Sequence, residues 1–227
     1  MYRTHSSRRH NRMLRVWCLA AVVMATTPWF LPADSGAPAD LVAKALSAEQ
    51  KVAAIEQYCS ETERSTGERP DLIVGVVETS QHPEGEWRRF NSREDLHKGW
   101  ETSAERYRGA YVWLRNGEVV RANFTLESPS GDWLQYSGHC FRDTSLVRLN
   151  YELSTTSNNT MVRRQRYYDE KGHPLKSYEQ FFDLRTQTPK HSAEAFIDEP
   201  TSVYHRVSEL PFLALVRDAQ TEKGTKP

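Results

Sequence analysis

The sequence lacks the short motifs that define most enzyme classes. It has no G-x-S-x-G segment of the kind that carries a nucleophilic serine, and it has no nucleotide-binding motif. The histidines after residue 80 stand singly, without the pairs at i and i+3 or i+4 that a helix-borne zinc site uses. They are His82, His97, His139, His173, His191 and His205. We therefore expect no metal and no cofactor.

The apolar stretch near the N-terminus is too short for a stable membrane span. It runs from Val16 to Thr27, whereas a span needs roughly 20 apolar residues. Five arginines precede it, Pro28 and Pro32 close it, and the small residue Ala33 follows, which is the order found in secretory signal peptides. We predict a signal peptide over residues 1–33, with cleavage as late as residue 39, and a periplasmic or secreted protein. The alternative is a protein anchored in the membrane through an uncleaved N-terminal segment.

The balance of charge depends on this leader. The whole chain has 30 basic and 30 acidic residues, and residues 1–33 contain five arginines and no acid, so the mature charge is (30 − 5) − 30 = −5. A mildly acidic domain gives no electrostatic reason to expect nucleic acid as a partner. Roughly 190 residues remain, enough for one core. We predict a single α+β domain over 41–217 and a flexible tail over 218–227.

Two capping signals predict helices. Ser47 to Gln50 has the pattern of a capping box, and Gly67 marks a helix end. Between them, apolar or small residues recur at helical spacing: Ala48, Val52, Ile55, Cys59 and Thr62. A second signal at Ser92 to Asp95 predicts a short helix with one face formed by Leu96, Trp100 and Tyr107.

From Leu72 onward, β-branched and aromatic runs alternate with turn residues, which is typical of strands. The predicted strands are 72–79, two in 110–127, 133–142, 146–153, 161–168 and 175–184. We predict an α+β fold in which a curved antiparallel meander of six to seven strands packs on one N-terminal amphipathic helix, with a short C-terminal helix from Leu210. This architecture resembles the lipoprotein-carrier and lipid-binding folds of bacterial envelopes.

The hairpin over 110–127 has two candidate registers around Asn116-Gly117. A two-residue turn places Trp113 opposite Val120. A three-residue loop places Val112 opposite Val120 and gathers the apolar residues on one face.

Removal of the leader leaves an even pair of cysteines, Cys59 and Cys140. In an oxidising compartment such a pair predicts a disulfide, here between the apolar side of the helix and one strand. The alternative is two separate buried thiols. His139 is next to Cys140 in sequence, but neighbours on a strand point to opposite faces, so a His-Cys catalytic pair is not expected.

The strand from Met161 to Tyr168 carries charge on both faces. One explanation is an edge strand, where charge discourages unwanted pairing. The other is that Arg164, Arg166 and Tyr168 line a polar concavity that binds an anionic group.

These patterns predict a non-enzymatic envelope or secreted domain that binds an apolar or amphipathic ligand, or an envelope partner, on its curved sheet. One alternative is a secreted hydrolase with acids from separated strands, although Asp132, Asp143 and Glu152 have the placement of ordinary solvated acids. Another is a structural module of the cell envelope. An apolar pocket would favour the ligand-binding domain. Two facing carboxylates would favour the hydrolase, and a filled interior would favour the structural module.

Overall fold

The computed structural model describes residues 46–79, 82–101, 107–128, 130–191 and 203–224. The predicted signal peptide, residues 1–33, lies outside them. The helices are α1 (Ala48–Thr66), α2 (Arg93–Glu101) and α3 (Leu213–Gly224), with a 3-10 helix at Val207–Glu209. The strands are β1 (Leu72–Thr79), β2 (His82–Phe90), β3 (Tyr107–Arg115), β4 (Glu118–Glu127), β5 (Trp133–Arg142), β6 (Ser145–Thr155), β7 (Thr160–Tyr168), β8 (Pro174–Asp183) and β9 (Pro189–Lys190).

The nine strands of the described residues form one open antiparallel sheet in the order β2-β1-β3-β4-β5-β6-β7-β8-β9. The predicted antiparallel meander is confirmed, but the predicted count of six to seven strands is wrong. The two missed strands lie at the edges of the sheet. Strand β2 contains Pro83 and Gly85 among charged residues, and β9 has only two residues, so neither shows the alternation that marks a half-buried strand.

Helix α1 begins and ends where the sequence predicts. The Ser47 side chain accepts a hydrogen bond from the backbone N–H of Gln50, and the Gln50 side chain accepts one from the backbone N–H of Ser47. This capping box satisfies donors that have no partner within the helix. The backbone N–H of Gly67, at φ 68°, donates to Glu63 and ends the helix.

The hairpin between β3 and β4 follows neither predicted register throughout. Asn116 and Gly117 have φ values of 53° and 85°, as a two-residue turn requires, and Leu114 pairs with Val119. A bulge then shifts the pairing, so that Trp113 lies opposite Arg121. The extra residue in β4 places Ala122 on the face of Val112, as the three-residue loop predicts, although the turn itself has two residues.

Helix α1 packs on one face of the sheet, which we call the helix face. Its buried side chains contact Cys140, Val147 and Tyr167. Cys59 and Cys140 form a disulfide, with their Cα atoms 6.1 Å apart. The predicted cysteine pair therefore joins the helix to the sheet.

The C-terminal segment packs on the opposite face, which we call the core face. Phe212 and Val216 are buried there with strand residues such as Phe124 and Leu149. Helix α3 also buries Ala219, so it continues past residue 217, where the sequence pattern places the end of the domain.

Helix α2 covers part of the sheet near β1. Leu96 is fully buried and lies where a side chain at Gly75 would be. The predicted continuation of this helix to Tyr107 is wrong, because Tyr107 begins β3 and pairs with Glu127. Among the described residues, no helix has the length and apolar character to cross a membrane.

Candidate functional site

A groove of about 600 Å³ lies on the helix face and crosses β4 to β8, and we call it the central groove. Strand register and the alternation of side chains arrange its lining in three rows. The helix row contains Arg121, Cys140 and Arg148. The middle row contains Asn123, Gly138, Asn150, Gln165 and Tyr178. The outer row contains Tyr136, Glu152, Arg163 and Gln180.

Gly138 forms the floor of the middle row. A Cβ atom at this position would lie 3.3 Å from Asn123 Oδ1 and 3.8 Å from Asn150 Cβ. The missing side chain therefore leaves a depression between two amides. The Oδ1 atom of Asn150 is buried and accepts no hydrogen bond from the described residues. A buried acceptor without a donor costs free energy that a bound group can recover.

Two tyrosines stand at the borders of the groove. Tyr136 is 46% exposed and Tyr178 is 42% exposed, so both rings are accessible from solvent. They lie on β5 and β8, three strand spacings apart, which is about 14 Å. Their exposed rings can stack on a ligand while their hydroxyls stay in contact with water.

A network of polar contacts closes the end of the groove near α1. Arg148 is 5% exposed, donates from Nη1 to Glu56 Oε2 at 2.8 Å, and contacts Glu63 through Nη2. Glu56 also accepts from Gln165 Nε2 at 2.9 Å and from the Tyr167 hydroxyl. Burial, and then the hydrogen bond to Glu56, raise the pKa of Tyr167 above its usual value. The network fixes Gln165 in the middle row.

Arg121 lies in the helix row against the ring of Trp113, with 3.6 Å between the guanidinium carbon and the ring centroid. Its Nε atom is buried and has no hydrogen-bond partner in the described part of the chain. Burial lowers the pKa of Arg121, while the nearby Glu63 acts in the opposite direction. The Trp113 ring thus fixes the orientation of the guanidinium. The charge of Glu63 offsets only part of the free-energy cost of burying the positive charge.

The three residues predicted to bind an anion alternate along β7 and have different surroundings. Arg164 contacts Glu179 and lies 5.6 Å from the centroid of the Tyr151 ring. Arg166 is half-buried, and Tyr168 is 6% exposed within the core cluster. Anion binding by these three residues stays a prediction. The alternative explanation of an edge strand is wrong, because β7 pairs with both β6 and β8.

His139 and Cys140 lie on opposite faces of β5, as strand geometry predicts. His139 is 1% exposed and lies on the core face, with its ring centroid 5.0 Å from that of Phe124. Burial lowers the pKa of His139 to about 4, and the charge of His205 adds to the effect. The ring is a neutral part of the core, and Cys140 is in the disulfide on the opposite face of β5, so the two side chains do not contact each other.

Two carboxylates line the groove, and each has an arginine partner. Glu63 contacts Arg148, and Glu152 accepts from Arg163 Nε at 2.8 Å. Asp132 accepts a hydrogen bond from Ser130 in a turn, and Asp143 is exposed in another turn. Within the described residues, no group of three His, Cys, Asp or Glu side chains could hold a metal ion.

Comparisons with protein-family models, with curated proteins and with solved structures found no match to this chain. The function is therefore inferred from the geometry of the groove. Sequence reasoning missed the amide row, although Asn123, Asn150 and Gln165 occupy polar positions of alternating strands. The pattern showed which residues face away from the core, but their alignment across strands depends on register.

Proposed function

We propose that this protein is a non-enzymatic binding domain whose central groove holds a small hydroxyl-rich ligand, such as a saccharide. The observation that carries the proposal is the row of amides around the Gly138 floor, where Asn150 Oδ1 is buried without a donor. The disulfide supports an exported protein, since such bonds persist in oxidising compartments.

The chemistry of the row favours hydroxyl groups. An amide side chain both donates and accepts hydrogen bonds, and a hydroxyl group does the same, so each can satisfy the other. A purely apolar ligand would cover the amides of Asn123 and Asn150 without offering them hydrogen-bond partners, at a cost of about 1 to 3 kcal/mol for each group. The groove therefore favours a polar or amphipathic ligand over an apolar one.

The exposed tyrosines suit the same class of ligand. A sugar ring presents C–H groups on its faces and hydroxyls at its edge. The rings of Tyr136 and Tyr178 offer apolar faces at two borders of the groove, and the amides of Asn150 and Gln165 lie on the two strands between them. A ligand of more than one ring can contact both borders.

A hydrolase is the second candidate, because Glu63 and Glu152 line one groove. A glycosidase needs one protonated acid beside one ionised carboxylate. Both carboxylates here are held in ion pairs with arginines, so their contacts do not single out one of them as the acid. Binding is therefore the better-supported function.

The test is binding of the purified protein, produced from the full chain, to an array of immobilised neutral and acidic oligosaccharides. We expect specific binding that Gly138→Val abolishes, because the new side chain fills the floor. Ser177→Val is the matched control, since Ser177 is an exposed strand residue on the other face of β8. Thermal unfolding of both variants checks that they fold.

Absence of saccharide binding by the wild-type protein would contradict the proposal. Unchanged binding by a folded Gly138→Val variant would show that the ligand does not occupy the groove. Hydrolysis of a bound oligosaccharide, lost in Glu152→Gln, would favour the enzyme instead.

A further inference from the structure

We propose that Arg121 binds a carboxylate of the ligand, so that the groove selects acidic saccharides, such as those containing a hexuronate, over neutral ones. This inference rests on the proposed saccharide-binding function and adds the class of saccharide.

Arg121 differs from the other arginines of the groove in its partners. Arg148 contacts two glutamates, Arg163 contacts Glu152, and Arg164 contacts Glu179. Arg121 has no ion pair with a carboxylate among the described residues, and its buried Nε–H lacks an acceptor. The nearby Glu63 is already engaged by Arg148. Arg121 is thus an arginine of the groove that has no carboxylate partner among the described residues.

The geometry of Arg121 suits an oxyanion. The Trp113 ring supports the guanidinium at 3.6 Å, so little side-chain entropy is lost when the arginine binds a ligand. A guanidinium can donate two parallel hydrogen bonds to a carboxylate, and a partly buried site strengthens them. Burial also disfavours the charged arginine, and a carboxylate partner would remove that penalty.

The position of Arg121 places it within reach of the amide row. Arg121 and Asn123 are on the same face of β4, two residues apart, which corresponds to about 7 Å along the strand. A sugar held over Gly138 by the amides therefore has the guanidinium at one end. A carboxylate on that sugar, or on its neighbour, can contact Arg121 without displacing the Arg148 network.

The experiment compares two oligosaccharides of equal length, one of glucuronate and one of glucose units, by titration calorimetry with the full-chain protein. We expect the wild-type protein to bind the acidic ligand at least about tenfold more tightly, as for a charge-assisted pair. Arg121→Gln should remove this preference and keep binding of the neutral ligand. Arg121→Lys should retain part of it, because lysine keeps the charge and loses the paired donors.

Arg64→Gln is the matched control, since it removes one positive charge from an exposed position of α1. It should leave the preference unchanged. A salt titration of the wild-type protein gives a readout that needs no variant: the acidic preference should decrease as ionic strength rises, because Arg121 is only partly buried.

The outcomes separate the two proposals. Equal binding of both ligands by the wild-type protein would overturn the role of Arg121 and leave the groove as a saccharide site. A preference that survives in Arg121→Gln would also overturn it. Failure to bind either ligand, or any other saccharide of the array, would overturn both.

Discussion

Arg148 of β6 donates to Glu56 of α1 at 2.8 Å, although 92 positions separate them in the sequence. The arginine is almost completely buried, whereas the glutamate is about one-third exposed. Glu56 also accepts from Gln165 and Tyr167, so one carboxylate holds three side chains of the sheet. This contact positions the helix that closes one end of the central groove.

Glu56→Ala should destabilise the protein by about 2 kcal/mol, because it leaves the buried Arg148 with one carboxylate and Tyr167 without its acceptor. The free energy of unfolding, measured by urea denaturation, checks this. Glu61→Ala on the same helix is the control, since Glu61 is exposed and contacts only Gln57, and it should cost less than about 0.5 kcal/mol. Equal effects of the two substitutions would contradict a bridging role for Glu56.

The disulfide should contribute about 4 kcal/mol, because it closes a loop with a sequence separation of 81 residues. Cys59→Ser combined with Cys140→Ser should lower the denaturation midpoint accordingly. Thiol titration of the denatured mature protein, without reductant, should detect neither Cys59 nor Cys140. Two reactive thiols in that assay would show that the bond does not form. If the full chain is titrated instead, Cys18→Ser removes the leader cysteine from the count.

His139 should make stability dependent on pH. Its pKa is about 4 in the folded protein and 6.5 for the unperturbed group, so the unfolded chain binds the proton first. The contribution of His139 to the free energy of unfolding is complete above pH 6.5. It decreases as the pH falls toward 4, by about 3 kcal/mol in total. Unfolding measured between pH 7.5 and 4.5 tests this. His139→Phe should flatten the dependence of the free energy of unfolding on pH, whereas the control His173→Gln, at an exposed position, should not. Equally steep pH profiles for the two variants would contradict this role of His139.

Gly75→Ala should destabilise the protein by about 1 to 2 kcal/mol. The new methyl group would occupy the place of Leu96 Cδ1 and lie 3.1 Å from the Phe90 ring, in a packed region that resists extra volume. Combining it with Leu96→Ala makes room, so the double variant should be more stable than the sum of the two single effects predicts. Simple additivity in thermal unfolding would show that the two residues do not meet.

Local signals predicted much of the fold. The Ser47 cap and the Gly67 end fixed the bounds of α1, and alternation identified seven of the nine strands. The candidate site was less accessible to the same reasoning. Arg164, Arg166 and Tyr168 alternate along β7 as the pattern predicts, but Arg164 contacts Glu179 and Tyr168 packs in the core, and these contacts across strands are not visible in the sequence.

The sequence by itself determined helix α1, the antiparallel strands and the two cysteines that can pair. The helix and the strands depend on interactions over a few residues, and the pair depends on the number of cysteines. Only the tertiary structure decided which side chains meet across strands. A bulge shifts the register by one residue and moves the following side chains to the other face, as at Trp113 in the hairpin of β3 and β4. Asn123, Gly138 and Asn150 come from three strands, and their alignment into one row is a property of the assembled sheet.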